Sequence, residues 1–252
     1  MIIDDGVIRR KIDRWLASLP PEFSDIKDDI VVAGGCIVSM LLEESINDFD
    51  IFLTERSSRD RLLEYYLKLC NREGVDLNKV PYIRVVVLED KLFYPAIFTR
   101  NAITLTERIQ IVIKPMDTYM SPSQIVEKFD FLHTQNYWTY ASGIVTKKEA
   151  LECILTKKLI YTGSDYPVSS LIRVAKYLKK GWRISPSQMF KIAFQVSELD
   201  LSDSEVFADQ IIGWDLVIID HIISELQTCE KIDYSHLCKT IDKAIELSQE
   251  ER

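Results

Sequence analysis

Glycine and proline are scarce in this chain, eight of each in 252 residues, and no segment repeats or drops into low complexity. Collagen-like and linker-like chains are thereby excluded. No run of about 18 apolar residues occurs, so no transmembrane helix is expected. The opening MIIDDGVIRR lacks the basic flank and apolar stretch of a secretory signal. Histidine is rare, with three scattered copies. The five cysteines (Cys36, Cys70, Cys153, Cys229 and Cys238) are an odd number, and no two form a CxxC. That argues against both a disulfide framework and a structural zinc site, and a reducing, cytoplasmic setting is expected. What is present is ordinary globular material: 47% hydrophobic and 28% charged residues, enough apolar side chain for a core and too much for a disordered chain.

Positive charge is short overall, with a formal net charge of −8, but it is unevenly distributed. Residues 146–185 carry nine Lys+Arg against three Asp+Glu, whereas residues 186–252 carry five against fourteen. An acidic surface disfavours long nucleic acid, whose affinity rests on phosphate contacts. A local basic island suits a small polyanion such as a nucleoside triphosphate.

Periodicity organises the chain into a mixed α/β part followed by a helical part. Ile8, Ile12, Trp15 and Leu19 predict a first helix, stopped by Pro20-Pro21. Asp29-Ile-Val-Val-Ala-Gly-Gly reads as a buried strand ending in a glycine pair, and Cys36 to Glu44 as a short helix. Phe49, Ile51 and Leu53 alternate with Asp48, Asp50 and Phe52, the two-residue period of a strand. A helix over 57–72 and strands over 82–88, 102–106, 108–114 and 129–134 follow, with a helix from Ser121-Pro122 to Lys128. After Gly143 the pattern is wholly helical: about 147–160, 168–180, 186–199, 203–212, 214–228 and 234–249. A boundary is expected near 142–147, giving a first domain over 1–145 and a helical domain over 146–252.

The stretch that carries chemistry is Gly34-Gly35-Cys36, eleven residues, then Asp48-Phe49-Asp50. Two glycines at a strand end let the backbone approach a ligand with no Cβ in the way. A helix starting there points free N–H groups at the same place, which suits phosphate. The chain then returns on a strand with carboxylates at i and i+2, on one face. Such acids repel unless a cation lies between them, and Mg²⁺, which binds oxygen and bridges carboxylates to substrate phosphates, meets that demand.

The pattern GGC–x11–DFD resembles the DNA polymerase beta superfamily of nucleotidyltransferases, whose signature is hG[GS], a spacer, then Dh[DE]h. The motif match covers residues 30–53, and the α/β-then-helical order extends it loosely over the chain. The stretch from Phe129 to Arg183 also resembles uncharacterised nucleotidyltransferase-like proteins of bacteriophages. The resemblance implies a nucleotidyltransferase-type mixed sheet flanked by helices, with a helical domain after it. It implies that Asp48 and Asp50 bind Mg²⁺ (or Mn²⁺), that Gly34 and Gly35 approach the triphosphate, and that a third carboxylate on a later strand completes the site. Cys36 departs from the family's serine, and a thiol is a poor donor to phosphate. Asp130, between Phe129 and Phe131 on an apolar strand pattern, is the first candidate for the third acid, and Glu107, at a hairpin turn, is the rival.

The basic island gains a role in this frame. On a helix over 167–180, Ser169, Arg173 and Lys176 fall at i, i+4 and i+7, one stripe that could hold phosphate oxygens. Val168, Leu171, Ile172, Ala175 and Leu178 would then be the packed face. His133 reads as a structural histidine, Trp138, Trp182 and Trp214 as packing residues, and Tyr161 and Tyr166 as core- or loop-packing residues with base stacking as the alternative. The expected activity is transfer of a nucleoside monophosphate from an NTP to a hydroxyl, releasing pyrophosphate. The acceptor is open between a tRNA end, a protein, a small molecule and another nucleotide, with neither membrane nor extended nucleic acid as partner. The alternative is a non-catalytic nucleotide sensor or inhibitor protein on the same fold.

Overall fold

The structure, a computed structural model, describes residues 4–80, 82–88, 91–114 and 120–211, together with positions 222, 235 and 238–243. Two compact units divide it, Met1–Thr156 and Lys157–Arg252. The division falls one helix later than the 142–147 boundary expected from sequence.

The first unit opens with α1 (Gly6–Ser18), which buries Ile8, Ile12 and Trp15 at helical spacing, and Pro20-Pro21 redirects the chain into a 3-10 turn over Pro21–Asp29. β1 (Ile30–Ala33), α2 (Gly35–Leu41), β2 (Phe49–Leu53) and α3 (Arg56–Leu69) follow. Next come β3 (Ile83–Arg84), β4 (Pro95–Phe98), β5 (Ala102–Leu105) and β6 (Ile109–Val112). α4 (Pro122–Glu127), β7 (Asn136–Thr139), β8 (Gly143–Thr146) and α5 (Lys148–Leu155) complete the unit. The strands form one eight-stranded sheet in the order β3-β4-β5-β6-β2-β1-β7-β8. β2 and β6 run parallel and every other neighbouring pair antiparallel, so the sheet is mixed. The architecture is the mixed α/β class expected from the sequence.

Alternation decides which way each strand faces. Phe49, Ile51 and Leu53 of β2 turn inward with Ile103, Leu105, Ile109 and Ile111 of the neighbouring strands. They pack with Ile8, Ile12 and Trp15 of α1 and Leu62 and Tyr66 of α3. Each such side chain contributes about 1.5–3 kcal/mol by leaving water. Asp50 and Phe52 therefore lie on the other face of β2.

Several expected elements differ. No strand forms over 129–134: Phe131 makes an isolated bridge and Leu132–Thr134 a 3-10 turn. The reason is local polar capture. The Thr134 hydroxyl and N–H both donate to the Phe131 carbonyl, the Asn136 amide donates to the His133 carbonyl at 2.6 Å, and the Gln135 amide to that of Phe129 at 3.2 Å. The strand comes after this turn, as β7. Of the strand expected over 82–88, only Ile83–Arg84 is laddered, and Val86 is 84% exposed. β8 breaks the expectation of helix throughout after Gly143. Among the described residues no helix is long and apolar enough to cross a membrane.

The second unit holds β9 (Lys158–Leu159), α6 (Pro167–Lys179), β10 (Arg183–Ile184), α7 (Pro186–Ser197) and α8 (Ser204–Gln210), with β9 and β10 paired in parallel. The helices expected over 214–228 and 234–249, with Trp214 and Cys229, lie outside the described residues except for positions 222, 235 and 238–243. The packed face of α6 is not the expected one. Pro167, Val168, Ser169, Ser170 and Val174 are buried, while Leu171 and Leu178 are exposed. Small serines allow close approach: the Ser169 hydroxyl donates to the Gln210 carbonyl of α8 at 2.6 Å.

Candidate functional site

The site begins where β1 stops. Ala33, its last residue, is the register partner of Asp50 on β2. Gly34 follows with φ 81° and ψ −136°, a conformation that a side chain would strain. Its N–H donates to the Asn136 carbonyl at 3.2 Å, which ties the turn to the strand on the other side. A Cβ at Gly34 would lie 3.4 Å from the Phe129 ring and 3.8 Å from an Asp50 carboxylate oxygen. So the glycine backbone is flanked by an aromatic ring and a carboxylate. At Gly35, which is exposed, a Cβ would meet nothing within 4 Å, so this side of the turn is open.

Asp50 heads a polar row across the sheet. Its partner on β6 is Gln110, whose own partner on β5 is Thr104, and the Gln110 amide donates to the Thr104 hydroxyl at 3.2 Å. Paired residues share a face, and Ala33 on the other flank of Asp50 is small, leaving space beside the carboxylate. Phe52, two residues on, meets the Phe129 ring at a centroid distance of 5.6 Å. That contact brings the turn bearing Asp130 to the Asp50 face. Asp130 is 8% exposed, Asp50 half-buried, and Asp48, just ahead of β2, exposed. Gln110 and Phe129 were not expected here. A polar Gln between Ile109 and Ile111 was the available signal for the first.

Cys36 occupies the first turn of α2 with its thiol turned inward. The side chain is 3% exposed and donates to the Ala33 carbonyl at 3.6 Å. Burial, then the neighbouring Asp50 charge, pushes the thiol well above its ordinary range, so it stays protonated. Such a cysteine is not a nucleophile at neutral pH.

Glu107 is committed elsewhere. It pairs with Lys11 of α1 at 3.2 Å, in the three-residue β5–β6 loop Thr106–Arg108. Glu107 and Arg108 both sit at positive φ, 63° and 62°. The Arg108 guanidinium donates to the Ile46 carbonyl at 2.9 Å, two residues before Asp48, and so fixes the loop leading into the carboxylates.

Among the described residues, no three His, Cys, Asp or Glu side chains gather in an arrangement that could hold a metal ion. The acids at hand are therefore Asp48 just ahead of β2 and Asp50 on it, with Asp130 on the adjoining turn. Two carboxylates are a donor set that Mg²⁺ accepts when substrate phosphates and water fill the rest of its shell, so the residues present fit a nucleotide-borne Mg²⁺ rather than a preformed cage. In the helical unit, Arg173 is half-buried and Lys176 exposed, one and two turns beyond the buried Ser169.

A family model described as Gabija anti-defense 2 family protein matches residues 7–157. That is more than half of the chain. The chain belongs to the Gabija anti-defense 2 family. The family match ends at the division between the two units. It takes in Gly34, Asp48, Asp50 and Asp130 and leaves Ser169, Arg173 and Lys176 outside. A curated relative, "Gabija anti-defense 2" of Bacillus phage SPbetaL7, is 21% identical over 227 residues, covering 89% of this chain and 50% of the relative. This chain thus spans about half the length of that Gabija anti-defense 2 protein. Solved structures similar to this chain include the Thermotoga maritima CCA-adding enzyme complexed with tRNA, at 13% identity, covering 86% of this chain and 54% of that chain, with a TM-score of 0.45. A CCA-adding enzyme in complex with ATP gives 16% identity, 78% and 44% coverage and a TM-score of 0.45.

Proposed function

We propose that this chain is a Mg²⁺-dependent nucleotidyltransferase whose activity serves the anti-defence role that the family name describes. It would act in the cytoplasm. The observation that carries the reading is the Asp50 carboxylate beside the open Gly34-Gly35 turn, on a sheet face it shares with Gln110. Asp48 and Asp50 would hold the ion. Bound with a nucleotide, Mg²⁺ (or Mn²⁺) would neutralise phosphate charge and steady the oxygens of an in-line displacement. The acceptor hydroxyl oxygen forms a bond to the α-phosphorus while the bond to pyrophosphate breaks, and Asp130 would take the acceptor's proton. Gly34 and Gly35 would keep Cβ atoms away from the triphosphate, and in the other unit Arg173 and Lys176 are proposed as phosphate-binding side chains. Ser169, whose hydroxyl is engaged by Gln210, would position that helix. The acceptor stays open between a tRNA end, a protein, a small molecule and another nucleotide.

A second reading, a non-catalytic nucleotide-binding inhibitor, is favoured by two observations. No third acid gathers with the pair among the described residues, and the inward Cys36 thiol offers nothing to a phosphate. One experiment separates the two. The protein is incubated with each α-labelled NTP, Mg²⁺ or Mn²⁺, and a bacterial extract. Label moving to an acceptor, and lost by roughly 100-fold or more in Asp50→Asn, supports transfer. Saturable NTP binding without label transfer supports the inhibitor. Neither binding nor transfer removes both.

A further inference from the structure

A concave site lies on the other face of the sheet from Asp50. A cleft of about 440 Å³ lies between the end of α1, α3 and the chain entering β4. Its walls include Tyr65, Tyr66, Phe93 and Tyr94, with Ser18 and Lys91 beside them. Tyr66 belongs to the core cluster with Phe49 and Ile51, the β2 residues that alternate with Asp50. The cleft therefore serves a different face of the sheet from the carboxylates.

We propose that this cleft binds a small planar aromatic acid. Packed interiors leave few voids larger than a water molecule, whereas sites for small molecules run from about 300 to 1,000 Å³. Four aromatic residues in one cleft suit a flat ring, through offset or edge contacts. The charge of the ligand follows from Lys91, exposed at the cleft with its ammonium 5.7 Å from the Tyr94 ring centroid. A neighbouring carboxylate or sulfonate on the ligand would complete that cation.

Polar detail adds orientation. The Tyr66 phenol is buried and accepts a hydrogen bond from Trp15 Nε1 at 2.8 Å. Among the described residues its own O–H reaches no acceptor. Phe93 is held at φ 56° although bulky and buried. Left-handed backbone at such a residue is strained, and strain of this kind concentrates at ligand clamps. The conformation turns the Phe93 ring into the wall instead of letting the chain run straight into β4.

Isothermal titration with 2-naphthoate and its neutral amide, on the full chain without nucleotide, tests the assignment. The expected result is saturable one-site binding of naphthoate, weakened about tenfold by Lys91→Met, with the amide unaffected by that change. Ser18→Trp, an exposed rim position, should abolish binding of both compounds while leaving the melting temperature and circular dichroism unchanged. Absence of saturable naphthoate binding at millimolar concentration overturns the proposal. So does undiminished binding in Ser18→Trp. Equal binding of acid and amide, indifferent to Lys91→Met, overturns the acidic class of ligand.

Discussion

The Asp50 face of β2 and the stripe on α6 make an instructive pair. Both were picked out by spacing, two residues on a strand and four and three on a helix. On β2, Asp50 stands on the face opposite Phe49, Ile51 and Leu53 and beside the Gly34 turn, while Asp48 lies just ahead of the strand. On α6 the stripe splits along its length. Ser169 is 2% exposed and bonded to α8, Arg173 is half-buried, and Lys176 reaches solvent. A strand has two faces, and large apolar residues on one leave no doubt about the other. A helix has a continuous surface, and small residues such as serine and alanine fit either side of it.

The two regions can be pulled apart by measurement, starting with the largest effect. His133 is fully buried in the turn before β7, and burial pushes its imidazole from 6.5 down to about 3. The unfolded chain therefore binds this proton first. The stability is present above pH 6.5 and is lost as pH falls toward 3, by at most about 1.4 kcal/mol per pH unit. Chemical denaturation across that window should show the slope, and His133→Leu should flatten it. An unchanged slope would mean that His133 is solvated and the site-bearing turn is looser than described.

Gly34→Ala comes next. Positive φ together with the 3.4 Å approach to Phe129 should cost about 1–3 kcal/mol, read as a lower melting temperature. Nucleotide affinity should fall with it. In the helical unit, Arg173→Ala should weaken NTP binding by roughly 1–3 kcal/mol, as for loss of a charged hydrogen bond. Ser169→Ala should cost stability by about 1 kcal/mol, the worth of its bond to Gln210. Unaltered NTP affinity in Arg173→Ala would confine nucleotide recognition to the sheet unit.

The smallest expected effect is also the most discriminating. Asp50→Asn keeps volume and removes one of the two charges that Asp48 and Asp50 bring to this stretch. In chelator it should melt at the wild-type temperature or slightly higher. With Mg²⁺ and NTP it should lose the upward shift that ligand linkage gives the wild type. A structural aspartate would behave the other way, destabilising the protein in chelator.

What the sequence disclosed, and what it withheld, follows from distance along the chain. The order β1, glycine pair, α2, β2 could be read directly because each signal is local: four buried residues, two glycines, a two-residue alternation. The link from Gln110 to Asp50 could not, because it depends on the register of strands more than fifty residues apart. Phe129 and Phe131 imitated a strand by alternating, and only the side-chain bonds of Thr134, Gln135 and Asn136 turn that stretch into a loop. The loop nevertheless arrives at Asp50, through the ring contact of Phe129 with Phe52. On α6, apolar character does not pick out the packed face. Leu171 and Leu178 are the more apolar residues, but Ser169, Ser170 and Val174 are the ones that pack.

The β5–β6 loop sets a limit on how this protein can be made tougher. Glu107 and Arg108 occupy backbone that asparagine and glycine would adopt at less cost. Selection for heat resistance should therefore find this loop early, and a Glu107→Asn, Arg108→Gly double variant should melt higher where relieved strain exceeds the lost Lys11 pair. The same change deletes the guanidinium that grips the Ile46 carbonyl. The segment carrying Asp48 would then wander, and a variant that survives boiling better would hold its ligand worse. Durability and readiness are traded at a single turn.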